Sequence, residues 1–176
     1  MEDRKIPLAE TFGPTIQGEG NYAGKKTLFI RLAGCDFRCA WCDSKYTHTI
    51  DEKTEWLYTE GLLNRVKALN GEGISGNGKK CDHIVITGGN PALYNLSKFI
   101  DGLHAMELTV HIETQGSVWP EWLNKVDNVV ISPKGPSSRM RMDVMWLAQK
   151  INTFAKERNE LLNHKIIVKI PVFDHL

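Results

Sequence analysis

Short β-branched runs alternate with longer stretches of helical period through most of this chain, and no other feature limits its possible folds as much. Residues 27–32, 83–87, 108–112, 128–131 and 165–172 are rich in Val, Ile, Leu and Thr and have the length of strands. Between them Leu62, Leu63, Val66 and Leu69, then Leu93, Leu96, Phe99, Ile100 and Leu103, then Leu147, Ile151, Phe154 and Leu161 recur at the spacing of one helix face. Thr59 reads as a cap for the first helix and Asn70 with Gly71 as its stop, and the last helix is expected over 144–162. Parallel strands cannot be joined by a tight turn and need a crossover, usually a helix. The order of elements therefore predicts a mainly parallel α/β sheet. Residues 70–80, rich in Gly, Asn, Ser and Lys and without period, are expected as a surface loop.

The 176 residues suit one domain, large enough to close a core without disulfides. Its 22 Lys and Arg balance 21 Asp and Glu, which leaves no broad positive field for nucleic acid or an anionic membrane. The first ten residues mix charges with short apolar side chains, unlike a signal peptide, and no later stretch reaches membrane-spanning length. A soluble, cytoplasmic protein is expected. In a reducing compartment four cysteines are not a disulfide framework, and three of them fall within eight positions.

Those three are Cys35, Cys39 and Cys42, in a loop after the first predicted strand. Their C-x3-C-x2-C spacing lets one loop wrap an iron–sulfur cluster, whose protein ligands are usually thiolates. A [4Fe–4S] cubane held by three cysteines keeps one iron open to a further ligand. Two other readings stand beside it: a structural zinc site completed by Cys81, and unliganded thiols buried as small hydrophobes. Thr87-Gly88-Gly89-Asn90-Pro91 follows the second strand, Glu113-Thr114-Gln115 the third and Ser132-Pro133-Lys134 the fourth, while Arg31 ends the first. Polar groups thus gather at the strand ends where open α/β folds bind ligands. The two glycines let backbone approach a ligand closely. His48, His83, His104, His111, His164 and His175 are scattered without metal spacing, so none is expected as a ligand. Trp119, Trp122 and Trp146 are expected to pack rather than to stack on a substrate.

The cysteine loop and the TGGNP turn resemble the radical S-adenosylmethionine superfamily. The resemblance implies that the amino and carboxylate groups of the cofactor's methionine moiety chelate the open iron, and that electron transfer then yields a 5′-deoxyadenosyl radical. It also implies cofactor contacts from Trp41, Cys42, Asp43, Gly88, Gly89, Asn90, Ser132, Pro133 and Lys134, with Lys134 countering the carboxylate. Asn90 stands where the superfamily commonly has Glu against the amino group; it keeps a carbonyl acceptor and loses the charge.

A narrower resemblance rests on Phe12-Gly13-Pro14-Thr15-Ile16-Gln17-Gly18-Glu19-Gly20, taken with Phe29-Ile30-Arg31, Cys42-Asp43-Ser44, the TGGNP turn, Glu113-Thr114-Gln115-Gly116-Ser117 and Ser132-Pro133-Lys134. In that order, from about Glu10 to Phe173, they resemble the 7-carboxy-7-deazaguanine synthase family. That family converts 6-carboxy-5,6,7,8-tetrahydropterin into 7-carboxy-7-deazaguanine by a radical ring contraction with loss of ammonia, toward queuosine and related deazapurines. The resemblance implies substrate contacts from Ile16, Gln17, Gly18, Glu19, Arg31 and Thr87, a Mg2+ ion on the Ser44 hydroxyl, and an electron donor such as a flavodoxin. Arg31 suits the substrate carboxylate because its planar fork pairs bidentately. A hydroxyl is a hard oxygen ligand of the kind Mg2+ takes. The cysteine spacing is shared with glycyl-radical activating enzymes, from which the FGPTIQGEG and SPK segments separate this chain. A zinc-stabilised binding module without catalysis is the third reading.

The implied fold is a partial, open (β/α)6 radical S-adenosylmethionine barrel, shortened at the C-terminus. The chain stops at Leu176, after the fifth strand, where the resemblance implies a further helix and strand. A trimmed fold, a partner subunit or residues 169–176 would supply what those elements supply. An unpaired sheet edge favours pairing with another chain, so a homodimer is expected.

Overall fold

The computed structural model describes residues 3–71, 80–159 and 165–172. Its strands are β1 (Ile6–Ile16), β2 (Lys26–Leu32), β3 (Glu55–Leu57), β4 (His83–Gly88), β5 (Thr109–Thr114), β6 (Asn128–Ile131) and β7 (Lys165–Val168). Among the described residues they form one open sheet in the order β3-β1-β2-β4-β5-β6-β7. From β2 to β7 all pairings are parallel, while β1 lies antiparallel to both β2 and β3. The helices are α1 (Thr59–Asn70), α2 (Ser97–Ala105) and α3 (Val144–Asn159).

All five expected strands form, and their parallel pairing agrees with the α/β reading. The last is shorter than expected. The Lys169 N–H still bonds to Ile131 O at 2.8 Å, but Pro171 has no N–H to continue the ladder. β1 and β3 were not expected: β1 is broken by register shifts near Gly13-Pro14, and β3 has three residues. Leu93 does not share a face with α2. Asn90 caps a separate 3-10 turn, Pro91–Leu93, through a bond from the Ala92 N–H to its Oδ1, and Leu93 is exposed. Thr59 is the first residue of α1 rather than its cap, and its hydroxyl donates to Asp3 Oδ1 at 2.8 Å. Gly71, at φ +83°, closes that helix by donating to Lys67 O, a left-handed turn natural to glycine. The expected loop over 70–80 falls mostly on residues outside the described set, as do the end of the last expected helix, His164 and His175.

Period-2 alternation sends the strands' residues to two different faces. Leu28, Ile30, Leu32, Ile84, Ile86, Val110, Ile112, Val129 and Ile131 are fully buried in one core with Leu62, Val66, Phe99, Ile100, Leu103 and Leu147 from the helices. The intervening residues, Phe29, Arg31, Val85, Thr87, His111, Glu113 and Val130, occupy the other face, which carries the site. The tryptophans pack as expected: the Trp122 indole N–H bonds to Tyr94 O at 2.9 Å, Trp119 meets Phe154 edge to face, and Trp146 lies against the core. Among the described residues no helix is long and apolar enough to cross a membrane.

Candidate active site

β2 ends in the cysteine loop, and the loop is tied down by its backbone. Gly34 N–H bonds to Thr47 O, Cys35 N–H to His48 O, Cys42 N–H to Cys39 O and Ala40 N–H to Ser138 O, at 2.8–3.2 Å. Cys35, Cys39 and Cys42 all carry free thiols and line a single cavity of about 620 Å3 at the C-terminal ends of the parallel strands. That volume lies within the usual range of small-molecule sites. Burial pushes the Cys35 and Cys39 thiols above the ordinary thiol range. Lys134 opposes the shift at Cys39, while the neighbouring Cys42 and Cys35 add to it.

Among the described residues no three His, Cys, Asp or Glu side chains stand as ligands of a single metal ion. Three thiols on one loop, all lining one cavity, are a donor set of the kind an iron–sulfur cluster takes. Cys81 cannot be the fourth thiolate of a zinc site. It lies in the hydrophobic core, with its sulfur 3.6 Å from both Asn70 Oδ1 and His83 O.

The Gly88-Gly89 turn sits directly against this loop. A Cβ on Gly88, at φ +127°, would fall 2.1 Å from Leu32 O, and one on Gly89 would fall 2.1 Å from Gly34 O. Glycine is required here because the end of β4 passes between the end of β2 and the cluster loop. Both glycines line the cavity, as do Trp41, Asp43, Ser44, Ser132 and Lys134. Lys134 stands 5.1 Å from the centre of the Trp41 ring and donates to Ser132 Oγ at 2.9 Å. Burial lowers its pKa, with Cys39 acting in the opposite sense. The Ser44 hydroxyl donates to Asp43 Oδ1 at 2.8 Å.

The expected substrate residues Gln17, Glu19, Arg31 and Thr87 also line the cavity. Glu113 ties several of them together: its two oxygens accept from Thr87 Oγ1 at 2.9 Å and Gln17 Nε2 at 3.3 Å. Arg31 Nε is 2.7 Å from Glu10 Oε1, an ion contact without the alignment of a hydrogen bond. Tyr46 donates its hydroxyl to that same oxygen. Glu19 forms an ion pair with Lys169, which follows β7. Four expected residues are not on the cavity wall. Ile16 is exposed, Gly18 has open space about it, Pro133 stands off the lining, and Asn90 is fully buried with its amide turned toward Asp36 and Ser117. The sequence reading gave no individual role to Glu113 or Gln115, and named Lys169 only within residues 169–176 as one possible source of the missing C-terminal contacts. Their signal was the one that found Lys134, namely polar residues at or just beyond the end of a parallel strand.

The connection from β1 to β2 crosses the site face. Gln17 and its neighbours close it through Gln17 N–H to Lys25 O and Gly24 N–H to Gln17 O, at 2.9 and 2.8 Å. At its tip the Tyr22 ring lies 3.8 Å from that of His111 and 5.3 Å from that of His83, and its hydroxyl accepts from Asn128 Nδ2 at 2.7 Å. His83 Nδ1 and His111 Nε2 are 3.2 Å apart. Burial, with His83 beside it, lowers the pKa of His111 to about 4.

Comparison with known proteins gives a consistent picture. Residues 29–156 match the radical SAM superfamily. A 7-carboxy-7-deazaguanine synthase of Bacillus cereus is 42% identical over 173 residues, covering 97% of this chain and 67% of that protein. The Bacillus subtilis synthase is 37% identical over 172 residues, covering 96% and 67%. The chain thus spans about two thirds of the length of these relatives. Among solved structures, QueE from Escherichia coli superposes with a TM-score of 0.59 at 22% identity, over 95% of this chain and 84% of that one. TYW1 with a lysine-pyruvate adduct bound reaches 0.58 at 15% identity, over 87% and 57%. At such identities the two structures bear on the fold alone.

Proposed function

The chain belongs to the radical S-adenosylmethionine superfamily and, within it, to the 7-carboxy-7-deazaguanine synthase family, and on that premise we propose that it converts 6-carboxy-5,6,7,8-tetrahydropterin into 7-carboxy-7-deazaguanine with loss of ammonia. The observation that carries this reading is the cavity itself. Residues from the β1–β2 connection, the cysteine loop, the glycine turn after β4, the ends of β5 and β6 and the stretch after β7 all line it. Cys35, Cys39 and Cys42 would hold the [4Fe–4S] cluster and the cavity beside them would admit S-adenosylmethionine, which together would supply radical hydrogen-atom abstraction.

The chain's own residues bind and orient. The Gly88-Gly89 turn, which lines the cavity, borders the cofactor's methionine moiety together with Trp41, Asp43 and Ser132, and Lys134 counters its carboxylate. Arg31, steadied at Nε by Glu10, presents the rest of its guanidinium to the substrate carboxylate. Gln17, Glu19 and Thr87 meet the pterin ring, with Glu113 fixing the positions of Gln17 and Thr87. Ser44, whose hydroxyl lies on the cavity wall, would offer a hard oxygen ligand to a Mg2+ ion. Phe29 and Phe37 on the same wall keep water from the reacting carbon. In this reading the enzyme is a single domain, works in the cytoplasm, takes its electron from a donor such as a flavodoxin and pairs as a homodimer. A monomer in sedimentation at micromolar concentration would count against the dimer.

The deciding experiment is anaerobic. The protein is reconstituted with iron and sulfide and assayed with reductant, Mg2+, S-adenosylmethionine and 6-carboxytetrahydropterin, beside Cys39→Ala. Formation of 7-carboxy-7-deazaguanine by the wild type and not by the variant is expected. Cofactor cleavage without deazaguanine would leave the radical chemistry and remove the substrate; uptake of zinc in place of a cluster would remove both.

A further inference from the structure

Asn90 is fully buried, and each hydrogen-bonding site of its amide is used. Its Oδ1 accepts from the Ala92 N–H at 3.2 Å and the Thr114 hydroxyl at 2.8 Å. Its Nδ2 donates to Asp36 Oδ1 at 2.9 Å and to Ser117 Oγ at 3.0 Å. The same Asp36 oxygen accepts from Gln115 Nε2 at 2.7 Å, and that nitrogen also stands 3.7 Å from Cys35 Sγ. The Phe37 N–H points at the same sulfur from 3.4 Å. The residue after Cys35 is therefore gripped by two buried amides from the ends of β4 and β5. One of those amides also touches the sulfur.

We propose that Asp36 is the positioning residue of the cluster loop, clamped by Asn90 and Gln115 so as to set the Cys35 sulfur, and that Asn at position 90 is the mate of Asp36 rather than a cofactor ligand. This rests on the cluster reading given above. A carboxylate at position 90 would face the Asp36 carboxylate across a hydrogen-bond distance with no proton between them, and would leave both oxygens repelled. An amide at position 90 instead donates to that carboxylate, as Gln115 does from the end of β5. Asn in the turn after β4 and Asp after the first cysteine thus form a single feature of this chain. Hydrogen bonds to a ligand sulfur stabilise its charge and tune the cluster, so the clamp acts on the electronic state of the centre as well as on its position.

The test is a charge swap. Asn90→Asp, Asp36→Asn and the double variant are compared with wild type by urea unfolding of the apo-protein, by iron and sulfide per chain after reconstitution, and by the EPR spectrum of the reduced cluster. Asn90→Asp is expected to lower iron loading at least threefold and to alter the spectrum of what loads. The double variant, in which an amide at 36 donates to a carboxylate at 90 while Gln115 loses its acceptor there, is expected to recover at least half of the loading that Asn90→Asp loses, with a spectrum still shifted from wild type. If Asn90→Asp does not accumulate in folded form, Asp36→Ser, an exposed site, is expected to halve loading at least and to shift the spectrum. Full loading with an unchanged spectrum in the single variants, or a double variant no better than Asn90→Asp, overturns the proposal. A wild type that takes up no cluster removes the cluster reading instead, and the unfolding cycle still decides the pairing: additive losses at 36 and 90 refute it.

Discussion

His111 is 3% exposed, its ring lies under Tyr22, and His83 stands 3.2 Å from it, so protonation has neither water nor an anion close enough to stabilise it fully. Asp127 acts in the opposite sense, but less strongly than burial and His83. The pKa therefore falls from 6.5 to about 4. Because the folded protein refuses a proton that the unfolded chain accepts, stability is complete above pH 6.5 and is lost as the pH falls toward 4. Each pKa unit is about 1.4 kcal/mol, so the whole window carries about 3 kcal/mol, of which about 2 kcal/mol is lost between pH 7 and pH 5. Urea unfolding of the apo-protein, followed by far-UV circular dichroism, should show a midpoint about 1 M lower at pH 5, taking about 2 kcal/mol per molar for the slope. His111→Gln is less stable at pH 7, having lost the ring contact with Tyr22, but its midpoint should fall much less over the same interval. An equal fall in wild type and variant would refute the assignment of this window to His111.

Gly89→Ala sets a methyl group against the Gly34 carbonyl and should cost about 3 kcal/mol in urea unfolding, whereas Gly135→Ala, with nothing within 4 Å, should be neutral within about 0.5 kcal/mol. Arg31→Lys loses the planar fork and should raise the KM for the pterin about 10- to 100-fold, while cofactor cleavage without substrate stays unchanged. Lys125→Ala removes an ion pair with Asp101 whose partners are 40% and 57% exposed, and its effect on stability should stay within about 0.5 kcal/mol.

The parallel half of the sheet was legible because each of its strands faces a buried core on one side and reads as a β-branched run of the right length. β1 was not legible as a strand. Its alternation is broken at Gly13-Pro14, and its last residues lie half outside the core, so the pattern looked like a motif rather than an element. Leu93 was misplaced onto α2 because spacing alone cannot see that Pro91 starts a separate turn once Asn90 caps it. At the site, Arg31, Thr87 and Lys134 were readable from their positions at strand ends. The orientation of Asn90 was not, since it depends on Asp36 and Ser117, 54 and 27 positions away. Glu113 carried the same positional signal as Thr87 but drew no role, because its importance lies in joining Gln17 to Thr87 across two strands.

The site's location follows from how the second face of the sheet is covered. Helices bury one face, but Phe29, Val85 and Val130 make the other apolar as well, and it needs a cover of its own. The β1–β2 connection provides it, with Tyr22 closing over His83, His111 and Asn128 at the N-terminal ends of β4, β5 and β6. The cavity lies at the C-terminal ends of the same strands. In β4 the chain passes from His83 under the cover to Thr87 in the cavity, and in β5 from His111 to Glu113. The segment that covers the face also brings Gln17 and Glu19 to the cavity wall, so the glycine-rich stretch after β1 shapes the pocket and supplies its polar groups at once. A change at Tyr22 should therefore reach the pocket through Gln17 and Glu113, although the ring itself does not line it.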